Sequence, residues 1–237
     1  MLINKKYIVT GSSTGIGKSI SENLLNEGAI VIGISSKTDN SKNKNKNFFH
    51  YNIDLSDTLK SFNGILKIIK DNKNIDGIVS NAGNGIFQSL ENFSHIQIQN
   101  FINLNLTSHI MVTRALLPHL KKNKSGNIIF IGSESALKGK KFGSLYSACK
   151  FGLRGFSQSI REETLNNNVK VSIINPGMVK TPFFKELNFI HGKNSDEFIE
   201  ASDIAKVVLD ILKLRDGTVI EEINLSPLKK VFQSKKN

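Results

Sequence analysis

Tyr7-Ile8-Val9-Thr10-Gly11-Ser12-Ser13-Thr14-Gly15-Ile16-Gly17 is the stretch that decides the fold. A short apolar run breaks into a Gly/Ser/Thr loop, and a helical pattern follows from about Ile16 to Asn26. Glycines let the backbone turn sharply and come close to a ligand. The helix that opens behind them offers unpaired N–H groups and the positive end of its dipole. The spacing is G-x-x-x-G-x-G rather than the commoner G-x-G-x-x-G. A loop of this kind after the first strand of a doubly wound sheet is where a dinucleotide binds. Gly11, Ser13, Thr14, Gly15 and Gly17 are therefore candidate cofactor contacts. The competing reading is a tight strand–helix turn without a ligand.

Apolar strand-like runs alternate with helical patterns through the rest of the chain. Further strands are read at Ala29–Ile34, Phe48–Ile53, Ile75–Val79, Ile128–Ile131, Val169–Ile174 and Thr218–Ile223. Helices are read at Leu59–Ile69, roughly 95–121, from about Tyr146 to Asn166, and Asp203–Leu214. This alternation predicts an α/β, doubly wound, Rossmann-type parallel sheet of about seven strands with helices on both faces. No repeat or linker interrupts it, so residues 1–225 are read as one NAD(P)-binding domain with its active site built in. A substrate lid is expected near 181–200 and a basic tail at 226–237. The segments 37–47 and 181–200 are the expected flexible parts.

Bulk properties narrow the function classes. The chain has 237 residues and a hydrophobic share of 39%, enough for a sizeable core. No apolar run approaches the roughly 18 residues that span a bilayer, and no membrane partner is expected. The start at Met1 runs straight into the glycine loop and does not read as a signal peptide. Cys149 is the only cysteine, which excludes an internal disulfide and fits a reducing, cytoplasmic setting. The net charge of +12 comes from 32 basic residues. Almost all are lysines, and Arg is the residue preferred for specific phosphate and base contacts. The charge is therefore read as lysine bias that attracts anionic small molecules, with no nucleic-acid partner.

The chemistry is concentrated in Tyr146-Ser147-Ala148-Cys149-Lys150, with Ser133 thirteen residues upstream of Tyr146. Residues four apart share a helix face. A free phenol has a pKa of about 10, and a neighbouring ammonium favours the phenolate. The sequence thus predicts that Lys150 lowers the pKa of Tyr146. A hydroxyl from Ser133 would either donate to the phenol oxygen or hold a substrate carbonyl against it, an arrangement suited to proton transfer. Cys149, off that face, is expected to be packed and inert. The second strand ends Ile34-Ser35-Ser36-Lys37, with no carboxylate before Asp39. An acidic residue here would grip the ribose 2′-hydroxyl of NAD. Hydroxyls of Ser35 and Ser36 beside Lys37 favour NADP(H) over NAD(H).

Taken in order, these pieces resemble the short-chain dehydrogenase/reductase family in its compact branch, over roughly residues 5–224. The matching motifs are Thr-Gly-x-x-x-Gly-x-Gly at 10–17, Asp54, Asn81-Ala82-Gly83, Asn105, Ser133, Tyr146-x-x-x-Lys150, and Asn175-Pro176-Gly177 with Thr181. The resemblance implies an enzyme interconverting a carbonyl and a secondary alcohol. Tyr146 would be the general acid or base, and Ser133 would orient the substrate oxygen. Lys150 would hold the nicotinamide ribose, and Asn105 would anchor a water that links Lys150 to solvent. Ile16 would be a loop contact with the pyrophosphate, Asp54 and Leu55 would meet the adenine, and Asn81, Ala82 and Gly83 would line the adenosine ribose. Pro176 and Gly177 would shape a turn under the nicotinamide, and Val179 and Thr181 would meet its carboxamide. The partners implied are a small carbonyl or alcohol substrate and a second copy of the chain, as homodimer or homotetramer. The strand-seven end, Glu221 to Leu228, lacks the Gly-Gly turn of many relatives, which weakens the tetramer expectation. A catalytically silent NADP-sensing protein on the same fold is the alternative.

Overall fold

β-Branched residues stiffen an extended backbone and pack well on a pleated surface, and the computed structural model shows strands where such residues cluster. It describes residues 1–36 and 45–235. In chain order the elements are β1 (Lys6–Thr10), α1 (Gly15–Asn26), β2 (Ile30–Ser35), β3 (Phe48–Asn52), α2 (Thr58–Asp71), β4 (Gly77–Ser80), α3 (His95–Ile102) and α4 (Ser108–Asn123). There follow β5 (Gly126–Ile131), α5 (Ser144–Thr164), β6 (Val169–Pro176), β7 (Val179–Lys180), β8 (Phe189–His191), β9 (Ile199–Glu200), α6 (Ala201–Lys213), β10 (Glu222–Leu225) and β11 (Phe232–Ser234). The polar stretch expected at 37–47 lies largely outside the described residues.

Seven strands form one parallel sheet in the order β10-β6-β5-β4-β1-β2-β3. One apolar layer packs α2, α4 and α5 on one face, around Ile65, Leu116, Leu153 and the fully buried Phe130. The other packs α1 and α6 on the opposite face, around Ile20, Leu24, Ile204 and Val208. The chain winds outward in both directions from the neighbours β1 and β4. Crevices open at the carboxyl edge of such a reversal.

That reversal is cross-tied by one hydroxyl. Thr10 Oγ1 accepts from the backbone N–H of Asn81 at 2.8 Å and of Ala82 at 3.0 Å. The side-chain amide of Asn81 donates back to the Thr10 carbonyl at 3.0 Å. The glycine loop and the segment after β4 are thus held in fixed relation.

Three elements differ from the sequence reading. The last strand of the sheet begins at Glu222, not Thr218, and runs to Leu225. Its register is set by polar groups. Asn175 Nδ2 donates to Glu222 and Asn224, and Arg154 Nε donates to Glu222 at 2.9 Å. A strand pinned this way carries no apolar run to signal it. The single helix read at 95–121 is interrupted by a π turn at Asn103–Thr107. There Asn105 Nδ2 bonds back to the Phe101 carbonyl and across to Asn84. The stretch 226–237 is not simply a tail, because β11 pairs antiparallel with β8 in the lid.

Thr10→Val keeps the volume but leaves one buried and one part-buried N–H group without their acceptor. Urea unfolding is expected to show a loss of about 1–3 kcal/mol. An unchanged midpoint would mean that these amides find other partners.

Candidate active site

Each strand of a parallel sheet delivers the residue that follows it to the same edge. Here the ends of β1 to β6 line one cleft of about 1080 Å³. After β1 come Gly11, Ser13, Thr14, Gly15 and Ile16, and after β2 come Ser35 and Ser36. Asp54 and Leu55 follow β3, and Asn81, Ala82 and Gly83 follow β4. Ser133 follows β5, and Pro176, Gly177, Val179 and Thr181 follow β6. Tyr146 and Lys150 enter from α5, and Asn105 from the π turn. The structure therefore brings together residues spread over 170 positions of sequence.

Two predicted contacts stand apart. Gly17 does not line the cleft. It lies beneath the loop, where an added Cβ would stand 2.2 Å from the Gly11 carbonyl oxygen. Its role is close packing of helix against loop. Lys37 lies outside the described residues. Gly11 and Gly15 hold φ of +66° and +55°, the left-handed region that favours glycine. Thr14 caps α1 in an extended conformation without a side-chain hydrogen bond to the first turn. The leading N–H groups of α1 are thus left to face the cleft, which is the arrangement an anionic pyrophosphate requires. A dinucleotide fits this cradle.

The catalytic candidates are deeply set. Tyr146 and Lys150 are both buried. Lys150 Nζ donates to the Ile131 carbonyl at 3.1 Å and lies 5.7 Å from the centre of the Tyr146 ring. Ser133 Oγ accepts from the Ser135 N–H at 3.1 Å, and its hydroxyl stands near enough to the Tyr146 phenol to favour the phenolate. Burial pushes Tyr146 up to about 12, with the Ser133 hydroxyl pulling the other way. Burial also lowers Lys150 to about 8. The expectation that Lys150 depresses the tyrosine is therefore corrected. In the protein alone desolvation outweighs it, because water leaves both groups and the ammonium is directed at a backbone carbonyl.

Asn105 is fully buried, and its Oδ1 accepts from the Asn84 N–H at 3.2 Å. Its side chain is consumed in fixing the π turn, a local widening that often marks functional sites. Asp54 Oδ1 accepts from Ser56 N–H at 2.9 Å and from its hydroxyl at 2.7 Å. It shapes a turn as well as facing the cleft.

Several neighbours were not assigned to the catalytic site by the sequence reading. Asn84, one residue beyond Asn81-Ala82-Gly83, is the partner of Asn105. The Ile131 carbonyl that holds Lys150 leaves no trace in residue type. His109, one helical turn from Asn105, is buried, bonded to Ser80 Oγ at 2.7 Å, and held at about 3 by burial and then by the charge of Lys150. It is a neutral imidazole at working pH. Phe87, Phe183 and Phe189 surround Tyr146 and its approach. Phe183 and Phe189 fall within the lid expected near 181–200, and Phe87 joins them from the segment after β4.

Cys149 is buried, and burial raises its thiol to about 11. Thiolate is the reactive form, so a disulfide reagent at pH 8 is expected to find no fast thiol in the native protein and one after guanidinium unfolding. Rapid native labelling would place this side chain in a far more open setting.

Comparison with known proteins agrees with this geometry. A sequence model of the short chain dehydrogenase family matches residues 5–189. The 3-oxoacyl-(acyl-carrier-protein) reductase FabG of Buchnera aphidicola subsp. Schizaphis graminum is 34% identical over 198 residues, 81% of each chain. An uncharacterised oxidoreductase of Staphylococcus epidermidis is 30% identical over 228 residues, 94% of this chain and 97% of the relative. Among solved structures, an alcohol dehydrogenase from the archaeon Thermococcus sibiricus, in complex with 5-hydroxy-NADP, superposes with a TM-score of 0.85 at 24% identity, covering 96% of this chain and 98% of the other. The matched span takes in the glycine loop, Ser133 and the Tyr146/Lys150 pair, and on these grounds the chain belongs to the short-chain dehydrogenase/reductase family of oxidoreductases.

Proposed function

We propose that this chain is an NADP(H)-dependent oxidoreductase that interconverts a carbonyl and a secondary alcohol, with Tyr146 as the general acid or base. The observation that carries the reading is the buried Tyr146 phenol, with Ser133 and Lys150 beside it on the wall of the cleft.

A bound nicotinamide dinucleotide supplies the hydride, which no side chain here can provide. The uncapped N–H groups of α1 and the glycine loop hold its pyrophosphate. Asp54 and Leu55 meet the adenine, and Asn81, Ala82 and Gly83 the adenosine ribose. Pro176, Gly177, Val179 and Thr181 receive the nicotinamide end. The 2′-phosphate preference rests on Ser35 and Ser36 and on the lack of a carboxylate at the end of β2. The 5-hydroxy-NADP carried by the Thermococcus sibiricus enzyme supports it.

A tyrosine pushed up to about 12 keeps its proton at neutral pH. It is then ready to deliver that proton as negative charge grows on a substrate oxygen. Ser133 orients that oxygen and, by hydrogen-bonding to the phenol, eases formation of the phenolate. Lys150 holds the nicotinamide ribose, and its charge stabilises the phenolate once the proton has left. Each pKa unit by which the phenol is lowered when the site fills is worth about 1.4 kcal/mol of proton-transfer driving force. The π turn that Asn105 fixes anchors the water that returns protons to Lys150. Exposed Phe151 on α5 supports self-association through the face of α4 and α5. No helix among the described residues is long and apolar enough to cross a membrane, and with its single, buried thiol the enzyme is proposed to work in the cytoplasm.

Tyr146→Phe is expected to lower carbonyl reduction at least about 100-fold while NADPH binding persists, the range set by losing a general acid. Turnover of ketones at the parent rate would remove Tyr146 from its role. The Lys150 ammonium is charged below about pH 8 and neutral above it. Reductive kcat/KM for the cofactor, which reports the free protein, should therefore fall as pH rises through that value. A profile flat to about pH 10 would show that this charge is not needed.

A further inference from the structure

The substrate end of the cleft is walled by rings from separate segments. Phe87 packs on Tyr146 with 5.2 Å between ring centres, and Phe189 meets Phe87 edge-on at 5.1 Å. Phe232 lies 6.4 Å beyond Phe189. A continuous row of rings thus leads from the phenol to the surface. Gly85 makes the row possible, since a Cβ there would stand 2.4 Å from the Phe183 ring and 2.9 Å from that of Phe87.

The outermost ring is delivered by the C-terminal segment. β11 pairs with β8, setting Phe232 opposite His191 and Ser234 opposite Phe189. The Lys235 ammonium donates to the carbonyls of Phe184 and Lys185, and its N–H donates to the Asn188 carbonyl at 2.8 Å. Lys229 pairs with Asp196 at 2.8 Å. The end of the chain is strapped across the lid at both of its ends. Phe232 lines the cleft yet remains 54% exposed. A large ring fixed half in water at a cleft mouth gains most when an apolar ligand covers it.

We propose, resting on the carbonyl-reduction reading, that Phe87, Phe189 and Phe232 form a subsite for a flat apolar or aromatic group a few bonds from the substrate carbonyl. Phe232, carried on the C-terminal strap, is the residue that selects for it. Offset and edge-on ring contacts favour such a group over an aliphatic one of equal length. Of these three rings the lid supplies only Phe189, so selection depends on a segment remote in sequence from both the lid and the catalytic residues.

The test compares 4-phenylbutan-2-one with butan-2-one, with NADPH as reductant, in the parent, Phe232→Ala and Phe232→Tyr. Phe232→Ala is expected to lower the ratio of kcat/KM for the aryl over the alkyl ketone about five- to tenfold, chiefly through KM, the size of one aromatic contact. Phe232→Tyr, which keeps the ring, is expected to restore the ratio. An unchanged ratio in Phe232→Ala overturns the proposal. Calorimetric binding of 4-phenylbutan-2-one to protein saturated with NADP+ judges the subsite apart from turnover. No binding by the parent overturns it, even where butan-2-one is reduced. Binding that Phe232→Ala weakens, with neither ketone reduced, sustains the subsite and sinks the carbonyl-reduction reading instead.

Discussion

The fixed distance between the ends of β1 and β4 is the constraint on which the site depends. The chain reverses its winding direction there, so two segments diverge and leave a crevice. An unsupported crevice would collapse or splay. The Thr10 hydroxyl prevents this by accepting from two consecutive N–H groups, while Asn81 returns a bond to the Thr10 carbonyl. Gly17 closes the arrangement from below by letting α1 pack against the Gly11 carbonyl. The glycine loop, the floor after β4 and the N-terminus of α1 are thus tied to one another, which is what a charged, extended ligand needs.

Opposite that cradle the chain buries an ammonium and a phenol, and their electrostatics pull apart. Desolvation disfavours whichever form is charged. It therefore raises the tyrosine and lowers the lysine, so that the phenol is a firmer proton holder and the ammonium a weaker one than either would be in water. Ser133 opposes the first effect, and the Ile131 carbonyl gives the ammonium one partner in an otherwise dry setting. The balance suits a group that must keep its proton until charge develops beside it. The aromatic rings around Tyr146 maintain the dryness on which the balance rests.

Sequence patterns carried much of this because parallel sheets have simple rules. Buried strands read as apolar runs, so Ile128–Ile131 and Val169–Ile174 were visible directly. A glycine loop between a strand and a helix can serve few purposes. Tyr146 and Lys150 needed only the helical period to be placed on one face. The last strand was read four residues early because Glu222 and Asn224 are set by bonds to Arg154 and Asn175 rather than by burial. The π turn escaped because Asn105 acts through Asn84, twenty-one residues away, and no local propensity encodes that contact.

The sequence by itself determined the alternation of strands and helices, the loop, the candidate acid and the residues that follow each strand, because all of these follow from local periodicity and residue chemistry. The tertiary structure alone decided the direction of the Tyr146 and Lys150 shifts, the neutral state of His109 and the return of Phe232 and Lys235 onto the lid. Desolvation depends on what surrounds a group in three dimensions. The pairing of β11 with β8 joins segments some forty residues apart, through backbone hydrogen bonds that any residue can make.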